Sequence, residues 1–140
     1  MTTWVSRMRA VPVAALMLCL VAPAYAQAPA AGSASEAYLK YRKVFDSAKK
    51  IDEVLPYMVA ARRKEVESTP AAERAEMFDM IKSMSVLTNL KIVKEDPTGN
   101  GATLTVEALD SDKAKATGTI EMAKEDGSWK VGKESWKHGN

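Results

Sequence analysis

The chain has 140 residues, with 20 lysines and arginines against 18 aspartates and glutamates, one histidine and one cysteine. That is room for one domain and too little for two ordinary ones. The charge balance offers no clustered basic excess for a nucleic acid or an anionic membrane, and one histidine with one cysteine cannot build an ordinary zinc site.

The N-terminus reads as an export signal in three parts. Arg7 and Arg9 lie in an acid-free leader, residues 11–22 are almost wholly apolar, and Pro23 precedes Ala24-Tyr25-Ala26, with small residues where a signal peptidase reads. The apolar run of about 12 residues is too short to span a bilayer as a helix. Cleavage is expected after Ala26, leaving 140 − 26 = 114 residues and removing two of the 20 basic residues, so that 18 face 18 acids. Cys19 falls within the signal and follows Leu18. A lipoprotein signal needs a small residue there, so Cys19 reads as part of the apolar region. The expectation is a periplasmic or secreted bacterial protein without disulfides, held by its core alone.

Residues 27–34 read as a flexible tether and residues 35–137 as the folded domain. Ser33 and Glu36 have the spacing of a capping box and open a first helix reaching about Ala48. Tyr38, Tyr41, Val44, Phe45 and Ala48 recur at threes and fours along it, while Lys40, Arg42, Lys43 and Asp46 are expected to face water. Ile51 to Leu55 reads as a short helical turn, and Pro56 as the first turn of a second helix ending near Glu67. Thr69-Pro70 then predicts a third helix, with Thr69 as N-cap and Met77, Phe78, Ile81 and Met84 as its buried stripe. Met77, Met80 and Met84 also have the spacing of a thioether cluster. Without histidine or cysteine beside them they read as core filler rather than a copper site.

From Val86 the period shifts toward two. Leu90 and Ile92 begin a first strand, and 97–101 is a turn cluster. A second strand puts Ala102, Leu104, Val106 and Ala108 on one face. A third puts Ala116, Gly118, Ile120 and Met122 on one face. Asp126-Gly127 is a two-residue hairpin turn that sets Lys124 against Trp129 and Met122 against Val131. Trp129 and Val131 then point one way and Trp136 the other. A bulge near Gly132 is predicted, because one inserted residue reverses the alternation and returns Trp136 to the core.

Helices followed by strands with short connections predict an α+β fold: helices packed on one face of a curved four-stranded antiparallel sheet. The turn Ile51-Asp-Glu-Val-Leu-Pro-Tyr-Met58, the Glu-rich helix after it, the closing strand Gly118 to Val131 and Trp136 together resemble the nuclear transport factor 2-like (NTF2-like) superfamily, and within it exported bacterial members of unknown function. The resemblance spans about Ser33 to Trp136. It implies a cone-like domain with a pocket between helix and sheet, and often a homodimer. It does not fix one function, because that scaffold hosts isomerases, dehydratases, transport factors and domains without known activity.

Enzymes of that superfamily usually place an acid, a histidine or a tyrosine inside the cone. The apolar strand faces assigned above contain none of these. The remaining acid–base candidates lie on the helical half: Tyr38, Tyr41, Tyr57 and Asp79. His138 sits on the tail, too near the end for a catalytic triad. Pocket candidates are Tyr38, Tyr41, Tyr57, Phe78, Trp129 and Trp136. No catalytic residue, metal or cofactor is assigned. The expected role is non-catalytic binding of a small apolar ligand or a protein partner. The competing role is an isomerase or dehydratase using a helix-borne tyrosine or aspartate.

Overall fold

Turn chemistry fixes the sheet. The computed structural model describes residues 29–139, so the signal segment with Cys19 and the start of the tether lie outside the described residues. Asp126 and Gly127 both have positive φ (50° and 76°), as a tight two-residue hairpin requires. They pair Lys124 with Trp129 and Met122 with Val131, the register expected from the sequence. Asp110 shapes the preceding connection by accepting the amides of Asp112 and Ala114 on one carboxylate oxygen. Strands β1 (Thr88–Thr98), β2 (Gly101–Leu109), β3 (Lys115–Glu125) and β4 (Ser128–His138) form one antiparallel meander in that order. Alternation then buries Ala102, Leu104, Val106 and Ala108 of β2 with Ala116, Ile120 and Met122 of β3.

The outer strands β1 and β4 are both irregular. In β4, Glu121 pairs with Lys133 and Met122 with Val131, leaving Gly132 as the extra residue of a bulge. Beyond it Ile120 faces Glu134 and Gly118 faces Trp136, so the tryptophan returns to the inner face as predicted. Its ring lies flat on Gly118: a Cβ there would come within 2.9 Å of three ring atoms, so the position takes no side chain. In β1, Ile92 pairs with Val106 and Lys94 with Thr105, leaving Val93 as the extra residue. That bulge, which sequence reading did not anticipate, turns Glu95 inward opposite Leu104.

The helical layer is α1 (Ala34–Ser47), two single 3-10 turns (Ile51–Glu53 and Leu55–Tyr57), α2 (Ala60–Ser68) and α3 (Ala71–Met84). Ser33 caps α1 by accepting the Glu36 amide, while the Glu36 carboxylate accepts the amide of Gly32. Tyr38, Tyr41 and Phe45 stack down α1 at centroid separations of 5.9 and 6.1 Å, and Phe45 meets Phe78 of α3 edge-on at 5.7 Å. These rings and the inner sheet face make one core; with helices over one antiparallel sheet, the described residues form a single α+β domain.

Four helical expectations are corrected. The second helix begins at Ala60, not Pro56, because Met58 is held extended beside β4 and the Val59 amide donates to the Val131 carbonyl at 3.0 Å. A carboxylate from the sheet, Glu125, caps its first amide at 2.9 Å. Thr69 does not cap α3. It ends α2, its amide bonded to the Val66 carbonyl, and Pro70 occupies the N-cap without a side-chain bond. Arg42 is buried rather than solvated: it binds Asp46 at 2.9 Å and the Ser85 carbonyl at 3.2 Å, and covers the Phe45 ring. Of the α3 stripe only Phe78 is buried. Met77 and Ile81 are half-buried, and Met84 is 69% exposed, because no element packs over the far side of α3.

Candidate functional site

Between α1, the 3-10 segment, α2, α3 and the second half of β4 lies an open cleft of about 250 Å³. Its walls are Phe45, Ile51, Met58, Val66, Phe78 and Ile81, with Met77 beside them. Its polar groups are Tyr41, Arg62, Glu65, Thr69, Ser85 and Glu134. An apolar chamber with a few convergent polar groups is the usual form of a small-molecule site.

Glu134 is the group that the sequence reading missed. The inner-face inventory of β4 stopped at Val131. The same reversal that returns Trp136 to the core also carries Glu134, two residues earlier, and the parity of Trp136 was the signal for it. The carboxylate stands beside the two phenols of α1. Burial, and then the charge of Glu134, push the hydroxyls of both Tyr38 and Tyr41 far above the ordinary tyrosine range, so both remain neutral donors. Yet the Tyr38 hydroxyl and Oε1 of Glu134 are both buried and neither has a hydrogen-bond partner. Glu134 enters no ion pair among the described residues. Arg62 reaches the same end of the cleft, one guanidinium nitrogen 3.5 Å from the Gly132 carbonyl.

The predicted site residues fall into separate places. Tyr41 and Phe78 line the cleft, and Tyr38 packs behind Tyr41. Tyr57 and Trp129 line a second groove, of about 440 Å³, beside the entry of the chain, where the Trp129 indole donates to the Gly32 carbonyl at 3.0 Å. Trp136 lies on Gly118 as a packing residue. Asp79 is on the exposed side of α3, away from any acid–base role in the cleft. Met80 and Met84 are 61% and 69% exposed, and no cluster of metal-ligating side chains occurs among the described residues. No helix among them is long and apolar enough to cross a membrane.

The architecture is thus an α+β domain whose helices and sheet enclose an open cleft. The chain matches no family model, and no curated protein matches it. Among solved structures it is similar to an NTF2-like protein of unknown function from Shewanella baltica OS155, at 14% identity and a TM-score of 0.47, covering 76% of this chain and 94% of that one. It is also similar to an NTF2-like protein from Campylobacter jejuni to which transpeptidase activity is provisionally ascribed, at 16% identity and a TM-score of 0.45, covering 71% and 96%. Both of those proteins are described as NTF2-like. The likeness concerns fold, and the chemistry of the cleft rests on the residues described above.

Proposed function

We propose that this is an exported domain that binds a small, mainly apolar ligand in the cleft between α1, α3 and β4 and releases it unchanged. One observation carries the reading: the cleft is open, walled by apolar side chains and bordered by Glu134, whose Oε1 is buried without a hydrogen-bond partner. A protein stabilised only by packing would fill such a space or satisfy such a group. Export rests on the charged, apolar and small-residue parts of the first 26 residues. Native mass spectrometry of protein recovered from its own periplasm tests both points. The expected species begins at Gln27 and carries a small adduct that dissociates intact. A ligand-free chain, unaltered by a panel of small apolar compounds, would contradict the binding reading.

A second reading has its own support. Glu134 beside two neutral phenols places a proton acceptor next to donors, the pair that an isomerase or dehydratase needs. The two readings part on the fate of a bound compound. Binding returns it unaltered, whereas proton transfer exchanges its acidic C–H hydrogens for deuterium in D2O, and Glu134→Gln abolishes that exchange.

A further inference from the structure

We infer that the ligand of the cleft is a protonated amine with a compact apolar body, held by Glu134. This rests on reading the cleft as a ligand site and adds what the ligand must carry. The lining holds two carboxylates, Glu65 and Glu134, against one cation, Arg62, among the described residues. Arg42 does not line the cleft, and its guanidinium binds Asp46 and the Ser85 carbonyl. An anionic ligand would therefore meet net repulsion. A purely apolar ligand would leave the charge of Glu134 uncompensated, which is costly. A neutral alcohol would satisfy the oxygen but not the charge. An ammonium group does both, through a charge-assisted hydrogen bond. The walls suit the same group: Tyr41, Phe45 and Phe78 present aromatic surface and Met58 and Met77 polarisable thioethers, all tolerant of a cation with an apolar tail. A volume of about 250 Å³ limits the body to one ring or a short chain.

The surrounding structure sharpens the assignment. Glu95, the other carboxylate that a bulge turns inward, is engaged through Oε2, which accepts from both the amide and the hydroxyl of Ser35. Glu134 arrives on the inner face by the same device, beside the phenols of Tyr38 and Tyr41, and its Oε1 has no such partner. The fold thus ties one inward carboxylate to the start of α1 and leaves Oε1 of the other, beside the cleft, without a bond.

The test is calorimetric titration of the protein with three probes of matched body, 2-phenylethylamine, 2-phenylethanol and phenylacetate, repeated on Glu134→Gln and Arg62→Gln. The amine is expected to bind at least about tenfold more tightly than the alcohol, the value of one charge-assisted bond. That advantage should vanish in Glu134→Gln and grow in Arg62→Gln, which removes the competing cation. Phenylacetate should bind most weakly. Equal binding of amine and alcohol, or an amine affinity unchanged in Glu134→Gln, overturns the inference and leaves the cleft as a site for apolar ligands. Preference for phenylacetate overturns it too. Failure of all three probes at millimolar concentration overturns both the inference and the binding reading. Should Glu134→Gln not fold, the ranking of probes on the unmodified protein decides alone.

Discussion

The two outer strands make the same move with different results. Each carries a bulge, at Val93 in β1 and at Gly132 in β4, that turns a glutamate inward two residues later, and β1 has a further irregularity between Thr88 and Lys91. Glu95 meets Ser35 at the start of α1 and fastens the helix to the sheet. Glu134 meets the phenols of Tyr38 and Tyr41 at the closed end of the cleft, and one of its oxygens finds no partner. A buried polar group that is fully bonded stabilises a fold, whereas one left open costs stability and is retained where a ligand or a reaction needs it. The first carboxylate therefore reads as a fastening and the second as a binding group.

The largest effect should come from removing the bulge. Deleting Gly132 restores regular alternation and turns both Glu134 and Trp136 outward. Trp136 is half-buried, so its loss costs less than the about 3–5 kcal/mol of a core tryptophan, but with the β4 pairing disturbed as well this variant should melt far below the parent or fail to fold, as followed by thermal circular dichroism. The next effect separates the glutamates. Glu95→Ala strands the amide and hydroxyl of Ser35 and should cost about 1–3 kcal/mol in a denaturant titration while leaving ligand affinity unchanged. Glu134→Gln should do the reverse, with stability held within about 1 kcal/mol and amine binding lost. Equal loss of stability in both variants would erase the distinction drawn between them.

The smallest effect lies at high pH. Tyr38 and Tyr41 have folded-state pKa values raised by burial and by Glu134. Their contribution is complete below the unfolded tyrosine value, about 10, and is lost as pH rises beyond it, because the unfolded chain releases those protons first. Phenolate absorbance from these two residues should therefore appear together with the loss of near-ultraviolet circular dichroism, not before it.

How much of this was legible depended on whether a local rule or a tertiary contact decided the outcome. Asp126-Gly127 set the β3–β4 register outright, since turn type fixes pairing and pairing fixes faces. Trp136 made the Gly132 bulge readable, because a tryptophan on the wrong face is a contradiction that the sequence itself displays. The Val93 bulge gave no such sign: Ile92-Val93 reads equally well as two strand residues, and the partner that receives the inward Glu95, Ser35, lies 60 residues away in the sequence. The helices were less legible still. Pro56 and Thr69-Pro70 are good start signals, yet the bond from Val59 to Val131 and the Glu125 cap move the start of α2 to Ala60. Met84 has the spacing of the α3 stripe and Met80 reads as core filler, yet both are exposed. The site was half readable. Tyr41 and Phe78 were named and line the cleft, but Glu134 entered only as a consequence of the bulge.

The central claim is that the Gly132 bulge turns the second half of β4 inward, and proton NMR tests it most directly. With Trp136 lying on Gly118, the Gly118 Hα signals should be shifted strongly upfield by the indole ring and show cross-peaks to it, and Glu134 side-chain protons should show cross-peaks to the Tyr41 ring. Gly118 Hα signals at ordinary positions without contacts to Trp136, and a Glu134 side chain with contacts only to solvent-facing neighbours, would contradict the account.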